Sequence, residues 1–150
     1  MRGRVWLVLA AMTLAVAACG PGGPSYDDLA AEPVFATAMP DATVIGRGGS
    51  DPRGTIEGDF YGFATRLYAL DEDAGAVLAW HRAAYEADGW TAVDHSPIVM
   101  SDGHFSEYAW QRGERIIGFG FPNRDRIAVP PGYVNAATVY EISITHAPTE

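Results

Sequence analysis

The chain has 150 residues, 48% of them hydrophobic, with 19 acidic against 10 basic side chains and a net charge of −9. That length suits one domain with a sizeable core. The acidic balance repels phosphate backbones and anionic headgroups, which argues against nucleic acid as a partner. All ten basic residues are arginine and the one cysteine is Cys19, so no internal disulfide can form.

Residues 1–18 read as an export signal. Arg2 and Arg4 supply a positive start, and Val5 to Ala18 is apolar apart from Thr13. A membrane-spanning helix needs about 20 apolar residues, whereas a secretory core needs about 7–15, so this run is too short to span. The small and aliphatic residues Val16, Ala17 and Ala18 stand directly before Cys19. That stretch resembles the lipobox of bacterial lipoprotein precursors. The resemblance implies diacylglyceryl transfer to the Cys19 sulfur, cleavage before Cys19 and further acylation, palmitate included, at the new amino terminus. Two or more acyl chains suffice for stable anchoring. The resemblance therefore implies a protein anchored by lipid to the cell membrane or outer membrane, with its folded part outside the cytoplasm. Removing residues 1–18 leaves eight arginines against 19 acids, a net charge of −11.

Residues 19–33 form the next segment. From Gly20 to Pro33 the sequence GPGGPSYDDLAAEP is rich in Gly, Pro and acids. It is expected to be a flexible tether, and residues 34–150 a single domain. Short strands are expected over Ala42–Arg47 and Asp59–Leu70, the second with Tyr61, Phe63, Leu67 and Ala69 on one face. Asp71-Glu72-Asp73 announces a helix, since acids cap and favour the first turn. It should run to about Asp88, with Gly89 as left-handed cap and Trp90 folding back. At 100° per residue, Ala74, Val77, Trp80, His81, Ala84 and Tyr85 make one stripe, which faces the sheet.

Trp90–His95 reads as a strand, followed by an irregular loop to about His104. Phe105–Arg112 and Arg115–Phe121 make a hairpin closed by Gly113-Glu114, a pair that suits a type II′ turn. Its register places Trp110 opposite Ile117 and Tyr108 opposite Phe119. In the last strand Tyr140, Ile142 and Ile144 alternate with Glu141, Ser143 and Thr145, the mark of a half-buried antiparallel strand. The expected fold is α+β, with one helix packed on a mostly antiparallel sheet of four or five strands. The run AVLAWHRAAYEADGW, followed by strands, resembles the helix-then-Gly-Trp pattern of small uncharacterised bacterial lipoproteins over residues 40–146. That resemblance transfers no activity and no functional residue.

Candidate chemistry is sparse. Asp94, His95, Asp102 and His104 lie close in sequence, but neighbouring strand residues point to opposite faces, so an exposed polar loop is the better reading than a metal site. His81 in the helix stripe reads as a packed, hydrogen-bonded core residue. No serine has the G-x-S-x-G elbow, and lipidation would consume the one thiol. No catalytic residue, metal or cofactor is assigned, and the expected role is a non-enzymatic module that binds another envelope protein. The alternative is a small-ligand module with Trp80, Trp90 or Tyr85 lining an apolar groove beside the sheet. Arg112, Arg115, Arg124 and Arg126 hold half the mature basic charge and are the candidate partner-binding residues, as one patch or two, against a reading as solvated loop arginines.

Overall fold

The computed structural model describes residues 23–55, 58–94 and 106–146. The signal, Cys19, His95, Asp102 and His104 lie outside them. The class is α+β. A six-stranded antiparallel sheet takes β1 (Thr43–Ser50), β4 (Phe63–Leu70), β5 (Thr91–Val93), β6 (Tyr108–Arg112), β7 (Arg115–Gly120) and β8 (Thr138–His146), in the order β1-β4-β8-β7-β6-β5. A separate small hairpin joins β2 (Arg53–Thr55) and β3 (Gly58–Phe60). Helix α1 (Tyr26–Ala30) and a 3₁₀ turn at Pro33–Ala36 precede the sheet, and helix α2 (Ala74–Ala87) follows β4.

The sheet thus exceeds the expected four or five strands, and a second helix joins the expected one. Both edges account for the larger sheet: Thr43–Ser50 pairs along β4, and Thr91–Val93 adds outside β6. The Asp59–Leu70 strand is two elements, because Gly62 packs against Pro52 and the chain breaks there. A Cβ on Gly62 would stand 2.8 Å from Pro52 Cδ.

Helix α2 forms as its sequence dictates. Asp73 accepts from the Gly75 and Ala76 amides at 2.8 and 3.3 Å, satisfying two amides that the first turn leaves open. At the other end Gly89 takes φ 81°, where a side chain would be strained. The Trp90 amide donates to the Tyr85 carbonyl and the Gly89 amide to that of Glu86, the paired bonds of a Schellman stop. Val77, His81 and Tyr85 are buried, three positions of the expected stripe. The β6–β7 hairpin has the expected register, Trp110 opposite Ile117 and Tyr108 opposite Phe119. Gly113 has φ 57° and Glu114 does not have positive φ, as a type II′ turn requires.

Both faces of the sheet are covered. On the α2 side, Ala64, Tyr68 and Leu70 of β4 join Trp110, Ile117, Phe119, Tyr140, Ile142 and Ile144 beneath Val77 and Tyr85. Leu67 and Ala69 point the other way, into a smaller cluster with Val139 that Ile127, Tyr133 and Ala136 of the β7–β8 connection cover. Of the expected face, Phe63, Leu67 and Ala69 do share one side of β4, the second side of the sheet, while Tyr61 lies in the loop before it. Glu141, Ser143 and Thr145, expected at a solvated face, are buried as well.

The tether expected over residues 19–33 belongs to the fold from its middle onward. Ser25 and Asp28 make a capping box at α1, with the Ser25 hydroxyl and amide holding the Asp28 carboxyl below its usual range. Leu29 is fully buried, and Val34 and Phe35 enter the main cluster. Arg66, from the middle of β4, donates to the Phe35 carbonyl and the Ala30 carbonyl, both at 3.1 Å, with its guanidinium 4.5 Å over the Phe35 ring. One arginine thereby closes the end of α1 and the 3₁₀ turn onto the sheet.

Candidate functional site

Register separates the four arginines into two places. Arg112 and Arg115 face each other across the Gly113–Glu114 turn, while β7 and the connection after it carry Arg124 and Arg126 to the opposite end of the sheet. Like charges opposed on a hairpin are unfavourable unless something separates them. Here each finds its own acid. Arg112 donates to the Asp88 carboxylate at 2.6 Å and to the Asp88 carbonyl at 2.7 Å, and lies 4.6 Å over the Trp90 ring. Trp90 Nε1 donates to the same carboxylate at 3.2 Å, so the helix stop and the hairpin are bolted together. Arg115 donates from Nε to Glu32 at 2.8 Å and from Nη1 to His146 Nδ1 at 2.9 Å. Because Arg115 only donates, His146 accepts at Nδ1 and carries its proton at Nε2, which faces Glu114 at 3.9 Å.

At the far end Arg124 donates to the Ala136 and Ala137 carbonyls at 2.7 and 3.0 Å, and so holds the β7–β8 connection where it enters β8. The Arg126 amide closes a turn onto the Asn123 carbonyl at 3.0 Å. Three of the four candidate side chains are therefore engaged within the domain. Among the described residues no group of three or more His, Cys, Asp and Glu is placed to hold a metal ion, and of the Asp94–His104 cluster only Asp94 is described.

A different constellation occupies the core beneath α2. His81 is fully buried, and its Nδ1–H donates to the Val77 carbonyl at 2.9 Å, which leaves Nε2 as a lone-pair acceptor. Its ring lies 5.1 Å from Phe119, 4.9 Å from Tyr140 and 5.8 Å from Tyr85, centroid to centroid. Tyr85 meets Trp110 edge-on at 5.1 Å, and Tyr140 stacks on Tyr68 at 5.0 Å. Tyr68 donates its hydroxyl to the Phe35 carbonyl at 3.2 Å. His81 Nε2, Tyr85 Oη and Trp110 Nε1 have no hydrogen-bond partner among the described residues. Tyr140 Oη has none either, although the Met39 backbone acts weakly on it.

Burial governs the charge states of this cluster. It pushes the His81 imidazole below its usual range, partly opposed by the Val77 bond, so the ring is neutral. It pushes the Tyr85 phenol well up, with Tyr68 and Tyr140 adding to the rise, and it raises Tyr140 and Tyr68 as well. The cluster is a set of neutral hydrogen-bonding groups inside a ring-lined interior.

Sequence reasoning placed His81 in the core but missed the set around it, because Tyr68, Tyr85, Trp110 and Tyr140 come from four elements whose juxtaposition is long-range. It also missed Arg66. A lone charge within the apolar strand FATRLYAL was the available signal, since such a residue needs a partner drawn from elsewhere. Comparison with protein-family models, with curated proteins and with solved structures finds no match to this chain.

Proposed function

We propose that the chain is an envelope lipoprotein, exported and cleaved before Cys19, and held to the cell membrane or outer membrane by lipid on the Cys19 sulfur. Its α+β domain works outside the cytoplasm as a non-enzymatic module that binds another envelope protein. One observation carries the reading: Val16-Ala17-Ala18-Cys19 follows a basic start and closes a long apolar run. No helix among the described residues is long and apolar enough to cross a membrane, which leaves attachment to the lipid in this reading. The Cys19→Ser variant is expected to lose metabolic palmitate labelling and to leave the membrane fraction or persist as uncleaved precursor. Unchanged labelling and fractionation overturn the reading. Copurification of the lipidated protein with its envelope neighbours then identifies the partner.

A second reading, a small-ligand binding module, is favoured by the neutral polar atoms of His81, Tyr85 and Trp110 that find no partner in the core. Saturable stabilisation of the domain against heat by a small neutral hydrogen-bonding compound, lost in the Tyr85→Phe variant, supports this alternative.

A further inference from the structure

The fold begins close to the anchoring cysteine. Gly23 rests against Pro52, whose Cβ lies 3.9 Å from where a Cβ on Gly23 would stand. Two residues on, Ser25 caps α1, and the Tyr26 amide donates to the Asp51 carboxylate at 2.7 Å. The Tyr26 ring packs on Gly49, whose φ of 148° and lack of a side chain admit it. An extended chain gains at most about 3.6 Å per residue, so Cys19, four residues before Gly23, lies no more than about 14 Å from it. A flexible tether through Pro33 would have allowed a far longer reach.

Gly23 and Pro52 mark one pole of the sheet. There β1 ends at Ser50, β4 begins at Phe63 and β8 ends at His146, with Arg115 and the Gly113–Glu114 turn alongside. The opposite pole gathers the start of β1, the end of β4, the start of β8 and the 121–137 connection that Arg124 holds. β4 has eight residues, so the poles stand about 25 Å apart at 3.2–3.4 Å per residue. That separation exceeds the reach of the residues before Gly23.

We propose that the anchored domain turns its Gly49–Arg53 pole, with the Gly113–Glu114 turn, toward the bilayer and holds the 121–137 connection away from it. This inference rests on the lipoprotein reading. Headgroup attraction does not supply the orientation, because Arg112 and Arg115 are engaged by Asp88 and Glu32, and Asp27, Asp51 and Glu114 stand at the same pole. The short connection supplies it. On this arrangement Arg126 and Val134, which is 52% exposed, lie on the side away from the bilayer, whereas Arg112 and Arg115 lie on the side that faces it.

The test uses the chain's single cysteine. Once Cys19 is lipidated, Glu114→Cys and Val134→Cys each carry one free thiol for a donor dye. Both lipidated proteins are bound to phosphatidylcholine vesicles with acceptor dye on the headgroups. Energy transfer is expected to be higher from position 114 than from 134. Inserting a Gly-Ser segment of roughly 20 residues after Gly20 should collapse that difference. Equal transfer from the two sites, or greater transfer from 134, overturns the orientation. A difference that survives the insertion overturns the short connection as its cause. Lack of palmitate incorporation and of vesicle retention overturns the lipoprotein reading instead, so the two failures are told apart.

Discussion

The two faces of the sheet bury polar atoms in opposite ways. Beneath α2, rings fill the space, and His81, Tyr85 and Trp110 each present a polar atom with no partner among the described residues. On the other face β8 buries Glu141, Ser143 and Thr145, and the two hydroxyls bond to backbone nearby: Thr145 to the Gly62 carbonyl at 2.7 Å and Ser143 to that of Gly118 at 3.3 Å. The first face gains from area removed from water and tolerates polar atoms without partners among the described residues; the second satisfies its two β8 hydroxyls on neighbouring backbone. Burial alone does not describe a face. What each polar atom meets there decides what a substitution costs.

Four substitutions or conditions sharpen that contrast. Trp110→Ala should cost the most, about 3–5 kcal/mol, because a fully buried ring is replaced by a cavity against Tyr85. Urea unfolding reads it, and a loss below about 1 kcal/mol would show that the ring is not packed. Thr145→Val on the second face should cost about 1–3 kcal/mol by the same measurement, since a near-isosteric side chain removes the hydroxyl that serves the buried Gly62 carbonyl.

The pH dependence of His81 comes next. Burial lowers its proton affinity in the fold, so the unfolded chain binds the proton first as pH falls through its ordinary value of 6.5. Stability present above 6.5 is therefore lost as pH falls below it, at no more than about 1.4 kcal/mol per pH unit for one proton. The groups around the ring, Tyr85, Tyr140, Trp80 and Phe119, stay uncharged in that range and do not supply a compensating carboxylate. Urea midpoints at pH 7 and 5 should differ more for the native chain than for His81→Leu; an equal difference would assign the slope to other groups. Tyr85→Phe should be the mildest change, near neutral or stabilising, because it removes a buried hydroxyl with no partner. A loss comparable to that of Thr145→Val would show that the Tyr85 hydroxyl is satisfied in solution and would erase the difference between the faces.

Legibility in the sequence followed the range of the interactions. Helix α2 was readable to within a residue because its signals are local: Asp73 before the first turn, Gly89 after the last, and a stripe at helical spacing between them. The β6–β7 hairpin was readable for the same reason, its two-residue turn fixing the register of every pair. The segment before β1 was not. Its Gly, Pro and acid content reads as linker, and Leu29, Val34 and Phe35 become anchors only because Arg66 and Tyr68 wait for them more than thirty positions later. The second face of β8 was misjudged because alternation reports two faces and not which of them is covered. Where both are buried, period two carries no inside or outside. The aromatic cluster around His81 lay beyond sequence reasoning for the reason that hid the segment: its members meet only in three dimensions.

The grip of Arg66 on Ala30 and Phe35 also has a mechanical consequence. Any pull from the amino-terminal side reaches the domain through Gly23 and first loads the Tyr26–Asp51 bond, then the buried Leu29 and the Ala30 carbonyl held by Arg66. It next meets the Glu32–Arg115 pair and the Phe35 carbonyl that Arg66 also holds, and only past these the edge strand β1 on β4. The segment thus acts as a strain relief: tension peels a short outer layer in sequence before it reaches the central strands β8 and β7, and the sheet's interior is shielded from the line of force.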